Sequence, residues 1–153
     1  MGRVDADALK HFVSALLCGQ GSDATEAEIV ADHLVPSPTM HSLDCDQCFI
    51  ACPYRLQDSC WSDQVTANLK GHDSHGVGML PQYFNSIQRG LLNPNQALHT
   101  VSDTGPMLVF DAGQGYGQRA AHEALLIGAE RAKQHGVCVY ALRRASHIGR
   151  VGT

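Results

Sequence analysis

Residues 107–142 constrain the fold more than any other stretch of the chain. Met107 to Phe110 reads as a short strand, DAGQGYGQ at 111–118 as a glycine-rich turn, and the Ala-rich run from Gln118 to His135 as a long helix closed by Gly136. Val137 to Leu142 then reads as a buried strand, because its run is apolar throughout rather than alternating. A strand that feeds a helix through glycines is also where a dinucleotide fingerprint would sit. The pattern G-x-G-x-x-G begun at Gly113 needs glycine at 118, and Gln118 stands there, so the Rossmann spacing fails. What remains is a strand-to-helix turn whose glycines serve positive φ or close packing.

The flanking segments add helices. Leu9, Phe12, Val13, Leu16 and Leu17 recur at helical spacing, Gly19 and Gly21 stop the run, and Asp23 followed by Glu26 can cap a second helix through Leu34. From Gly76, the positions Val77, Leu80, Tyr83, Phe84 and Ile87 suit a helix ending at Gly90, and Asn93-Pro94 begins a turn. The fold class expected is a mixed α+β one with no internal repeat. With 153 residues, 44% of them hydrophobic and 17% charged, one globular domain is expected. A net charge of -4 gives no basic field for nucleic acid, and no apolar run approaches the roughly 20 residues of a membrane span. Asp5, Asp7, Lys10 and His11 break any signal-peptide core, and Ala6 stands where myristoylation needs Ser or Thr, so a cytoplasmic location is expected.

One block breaks the pattern. Residues 35–64 carry Cys45, Cys48, Cys52 and Cys60, the only tryptophan, several prolines and no period of either kind. Cys45-x2-Cys48-x3-Cys52-Pro53 matches the end of the bacterial iron-sulfur run, but the first cysteine position is Ser42. A zinc site on the same cysteines is the alternative, although structural zinc sites usually come as two separated pairs. No metal is the reading adopted. His72 and His75 are three apart, unsuited to an i, i+4 ligand pair on one helix face. Cys18 and Cys138 sit in apolar patterns and read as small buried thiols.

Two polar clusters carry the chemistry. GHDSHG at 71–76 is either an N-cap, through Asp73 or Ser74, with solvated histidines, or one side of an active site. RRASHIGRVG at 143–152 places Ser146 and His147 just past a strand, where scaffolds commonly present reactive groups. Two histidines on separate elements can then converge.

ANLKGHDSHGVGMLPQYF, the DAGQGYGQ turn with its Ala-rich helix, and SHIGRVG together resemble the malate/L-lactate dehydrogenase-like family of NAD(P)-dependent oxidoreductases, which includes sulfolactate and ureidoglycolate dehydrogenases. The resemblance covers residues 1–35 and 65–153. It implies a non-Rossmann nicotinamide-binding fold, NAD or NADP as cofactor, and a small 2-hydroxy or 2-oxo acid, or a cyclic imino acid, as substrate. It also implies a homodimer with the active site near the subunit interface. Carried over by motif, His147 matches the proton-transferring histidine, Ser74 and His75 a substrate-site serine and histidine, and Tyr83 a substrate-site tyrosine. No cofactor-binding residue is assigned. The chemistry agrees, since oxidising a secondary alcohol removes a hydride and a hydroxyl proton together, and an imidazole exchanges protons near neutral pH. Some members have an arginine four positions after the histidine that His75 matches, to hold the substrate carboxylate; Met79 stands there, leaving Arg143, Arg144 or Arg150 as candidates.

The resemblance divides the chain into residues 1–34, an N-terminal helical part; 35–64, a cysteine-rich atypical insertion expected to be disordered; and 65–153, the start of a catalytic core. Family members are more than twice as long, so an N-terminal fragment that is inactive alone is expected. Its last helix and strand are expected to leave apolar faces without partners. The block begins with valine and ends with glutamine, compatible with an in-frame retained intron bounded by GT and AG, which transcript sequencing tests. The competing function class is a non-catalytic metal-binding or interaction module built on Cys45, Cys48, Cys52 and Cys60.

Overall fold

The computed structural model describes residues 5–34 and 76–149. In chain order these form α1 (Ala6–Gly19), α2 (Ala24–Leu34), a 3-10 turn (Val77–Met79) running into α3 (Leu80–Gln88), β1 (His99–Asp103), β2 (Met107–Asp111), α4 (Gly117–His135) and β3 (Val139–Arg143). The cysteine-rich block, with Cys45, Cys48, Cys52 and Cys60, lies outside the described residues, as do His72, Ser74, His75 and Arg150.

The two opening helices form where the apolar spacing predicts. Asp5 caps α1 by accepting from Ala8 N–H at 3.0 Å, and Val13 and Leu17, one turn apart, are fully buried. Phe12 points the other way and is 59% exposed. Asp23 accepts from Glu26 N–H at 2.8 Å, the first half of the expected capping box. Glu26 does not complete it. Both Glu26 oxygens accept from Asn95 N–H, at 2.9 and 2.8 Å, while Asn95 Oδ1 accepts from Asp23 N–H at 2.7 Å. Asn95, held in the left-handed region at φ 63, thereby links the third helix's exit loop to the α1–α2 turn. The fully buried Glu26 carboxylate also has Arg119 Nη1 at 3.3 Å, as a buried charge requires.

α3 has proline in its first turn and buries Leu80 and Tyr83, three residues apart. These join Val13, Leu17, Val30, Leu34, Leu92 and Tyr116 in the larger of two cores. The helix ends before Gly90, whose φ of 68 is one that glycine adopts without the strain a Cβ brings.

The second region is a three-stranded sheet of order β1-β2-β3, antiparallel between β1 and β2 and parallel between β2 and β3, with α4 as the crossover. β1 was not legible in the sequence, because all five of its residues are exposed and no apolar alternation marks it. α4 turns Ala120, Ala124, Gly128 and Ala132 inward, a stripe of small side chains that lets helix and sheet approach closely. At Gly128 a Cβ would lie 3.1 Å from the Tyr140 ring. Gly136 closes the helix at φ 79, as the sequence predicts.

Two expectations are corrected here. β3 starts at Val139 rather than Val137 and is not buried: Val139 is 61% exposed and only Leu142 is half-buried. An unbroken apolar run reads as a strand covered on both faces, but among the described residues β3 pairs with β2 and its main packing neighbour is α4. Cys18 is exposed, not buried, since it lies on the outer side of the last turn of α1; Cys138 is half-buried beside Leu108, Phe110 and Ala124. The expectation of apolar faces left open on the last helix and strand agrees with exposed Leu126, Ile127, Val137 and Val139. No helix among the described residues is long and apolar enough to cross a membrane.

Candidate active site

The segment after β3 is laced onto the glycine-rich turn. Ala112 N–H donates to Arg143 O at 3.0 Å, Gln114 N–H to Arg144 O at 2.7 Å, and Ser146 N–H to Gly115 O at 3.1 Å. Gln114 and Arg144 both take positive φ, 65 and 50, to make this crossing. Gly117 permits the close approach: a Cβ there would overlap the carbonyl oxygens of Ser146 and His147 and the Ile148 side chain, the last two at 2.7 Å. The neighbouring glycines are used the same way, Gly113 and Gly115 each facing Gln96 at 2.9 Å from a built Cβ. The turn is therefore filled by the chain's own Gln96 and residues 146–148.

This lacing delivers His147 to Tyr83. Tyr83 comes from the buried face of α3, its ring set edge-on against Tyr116 at a centroid distance of 5.6 Å. Its hydroxyl lies 3.1 Å from His147 Nδ1 and accepts from Gln118 Nε2 at 2.6 Å. Burial pushes the Tyr83 phenol up to about 12, with the Gln118 hydrogen bond pulling weakly the other way, so it keeps its proton at all ordinary pH. Gln118 is itself buried on the first turn of α4. Sequence reasoning noted it only as the residue that spoils the glycine fingerprint. The signal available in the sequence, and not used, is a polar amide on the inward face of an Ala-rich helix.

Beside this site, Asp111 at the end of β2 accepts from Gly113 N–H at 2.9 Å, Arg143 Nε at 2.8 Å and Arg144 Nε at 2.9 Å. The Gly113 hydrogen bond first, then the two arginines, hold its carboxyl down at about 2 against the cost of burial. Two of the three arginines considered for a substrate carboxylate are thus paired with Asp111. Of the residues predicted for the site, His147 and Tyr83 are brought together, while Ser74 and His75 lie outside the described residues. Among the described residues no group of three His, Cys, Asp or Glu side chains can hold a metal ion.

The chain belongs to the malate/L-lactate dehydrogenase family, whose profile matches residues 50–153. It is 37% identical over 150 residues to hydroxycarboxylate dehydrogenase B of Escherichia coli K12, an alignment covering 98% of this chain and 33% of that protein. A solved E. coli structure of the malate/lactate dehydrogenase type superposes with a TM-score of 0.74 at 37% identity, over 98% of this chain and 34% of the other. Sulfolactate dehydrogenase from Methanocaldococcus jannaschii superposes at 0.71 and 27% identity, over 95% and 34%. The chain thus spans about a third of the length of the relatives it matches.

Proposed function

We propose that this chain carries part of an oxidoreductase that exchanges a hydride between NAD or NADP and a small 2-hydroxy acid of the malate or lactate type. In this reading His147 takes the hydroxyl proton of the hydroxy acid, or returns it to the 2-oxo acid. Tyr83 holds the imidazole in place, and Ser74 and His75 complete the substrate site. The observation that carries the reading is the 3.1 Å hydrogen bond between Tyr83 and His147, two residues that separate motifs had nominated 64 positions apart. Family membership supports the class of reaction, and the printed names of the relatives support a hydroxy acid or its oxo form as substrate. Bound nicotinamide supplies the hydride acceptor. No cofactor contact is assigned to the described residues. A homodimer and a cytoplasmic location belong to the same proposal.

The test is steady-state turnover of a full-length, block-free version of this protein, of the length of its relatives, with malate, lactate and their oxo acids, using NAD(H) and NADP(H), before and after His147→Ala. Loss of a positioned acid-base group lowers turnover by roughly 10²- to 10⁴-fold, and the KM for the nicotinamide is expected to change little. Unaltered turnover in the variant removes His147 from the chemistry, and an absence of turnover with every acid tried removes the substrate class. Calorimetric titration of the 153-residue chain with each nicotinamide is the companion measurement. No binding is expected of this chain alone, and micromolar affinity for either dinucleotide overturns that expectation.

A further inference from the structure

Arg143 and Arg144 hold Asp111 in an unusual way. In the parallel register of β2 and β3, Asp111 lies beside Arg143, and cross-strand neighbours share one face of the sheet. The next side chain along an extended strand points to the other face. Arg144 instead takes φ 50, its carbonyl accepting from Gln114 N–H at 2.7 Å, and its guanidinium comes round to the same carboxylate. Both arginines donate through Nε and share Oδ2, at 2.8 Å from Arg143 and 3.1 Å from Arg144. Left-handed backbone strains a residue with a Cβ, and such strain clusters at ligand clamps and active sites.

Asp111 alone does not account for the pair. Its carboxylate already accepts from Gly113 N–H, and one guanidinium balances its charge. The second leaves a surplus positive charge in a chain whose net charge is -4. Exposure divides the cluster as well, since the Asp111 side chain is 6% exposed whereas Arg143 is 58% and Arg144 61%. Each guanidinium uses only Nε on Asp111, so the N–H groups at Nη1 and Nη2 of both have no partner among the described residues.

We propose that Arg143 and Arg144, splinted by Asp111, form a binding site for an oxyanion, a carboxylate or phosphate group taken by their Nη donors. A guanidinium meets either group with two parallel N–H donors of matching spacing. Asp111 fixes both side chains at Nε before the anion arrives, which reduces the ordering cost of binding. Two reactants of the proposed function carry this chemistry, the hydroxy acid through its carboxylate and the nicotinamide dinucleotide through its phosphates. The site is defined by charge and donors alone, so it does not require His147 to move a proton.

Arginine side-chain NMR of the 153-residue chain tests the proposal, with titration in low salt by sodium malate, lactate, phosphate or pyrophosphate and by sodium chloride at matched ionic strength. The two guanidinium signals are assigned from Arg143→Gln and Arg144→Gly, the latter keeping a backbone conformation that glycine adopts freely. Both signals are expected to shift and saturate together, with half-saturation at about 1–10 mM for so exposed a pair. Arg144→Gly is expected to weaken that binding roughly 10-fold or more, as loss of a charge-assisted hydrogen bond does. Tighter binding of malate and lactate assigns the site to the acid, and tighter binding of phosphate and pyrophosphate assigns it to the dinucleotide. Asp111→Asn raises the local positive charge while removing the splint, and weaker binding is expected. Equal or tighter binding in a folded Asp111→Asn means loose charges rather than a built site, and overturns the proposal. So does a response that never saturates, that chloride reproduces, or that Arg144→Gly leaves unchanged, none of which needs the Asp111 variant to fold. Turnover plays no part in the measurement, so failure of the dehydrogenase reading and failure of this inference are separately visible.

Discussion

The helical region and the sheet region are built from similarly apolar sequence, yet they bury it to different degrees. α1, α2 and α3 close on one another and take Val13, Leu17, Val30 and Leu34 to essentially zero exposure. The sheet buries Leu108, Phe110 and Ala124 under α4 and leaves Met107, Val137 and Val139 open. The difference lies in how many faces find a neighbour. A helix pair needs one apolar stripe from each partner, and that demand is met within α1 and α2. A parallel strand needs cover on both faces and a partner on both edges, and β3, paired with β2 on one edge among the described residues, keeps four of its five residues exposed. Between the two regions sits the candidate site, with Tyr83 from the closed core, Gln118 from the crossover helix and His147 from the exit of the open strand.

The sharpest way to break this comparison is to substitute one apolar side chain on each side. Leu17→Ala in the closed core is expected to cost about 2–5 kcal/mol, the range for a buried leucine that leaves a cavity. Val139→Thr on the open strand should stay within about 0.5 kcal/mol, as surface substitutions do. Thermal unfolding followed by circular dichroism measures both. Equal losses would mean that β3 is covered in solution.

A smaller loss, about 1–3 kcal/mol by the usual cost of overpacking, is expected for Gly117→Ala. The added methyl meets the carbonyl oxygens of Ser146 and His147, so residues 146–148 must move off the turn. This joins the two regions in one measurement, because the shift should also appear in the His147 ring resonances. A stability loss with unmoved His147 signals would show that the turn does not position the histidine.

The smallest effect expected is one of pH. Asp111 has its folded pKa at about 2, below the ordinary 3.8, so the carboxylate is favoured in the folded state. Its contribution is fully present above the unfolded value and is lost as pH falls from about 4 to about 2. Arg143 and Arg144 are both largely exposed, so salt screens their share and the Gly113 hydrogen bond carries most of what remains. Acid unfolding of Asp111→Asn against the native chain isolates it: the native chain should lose more of its stability across that window than the variant does.

Much of this was legible in the residues. The apolar spacing of Leu9 to Leu17, the caps at Asp23 and Gly136, and the strand-turn-helix-strand order all follow from local rules that neighbours in sequence satisfy among themselves. Tyr83 and His147 were nominated from their motifs. What escaped was β1, an exposed strand with no alternation, and the completion of the Glu26 cap by Asn95, whose partner lies 69 residues away. Both depend on which chain segment arrives to pair.

The sequence by itself determined that 107–142 is strand, glycine turn, helix and strand, and that Gln118 excludes the Rossmann spacing, because such patterns are set by backbone sterics and side-chain period. Only the tertiary structure decided what the turn is for. Gly113, Gly115 and Gly117 leave the space of their side chains to Gln96 and to residues 146–148. The glutamine that replaces the last glycine reaches Tyr83 and, through it, His147. That convergence joins three segments far apart in the chain, and a hydrogen-bond direction exists only once the folded backbone has brought donor and acceptor within 3 Å or so of each other.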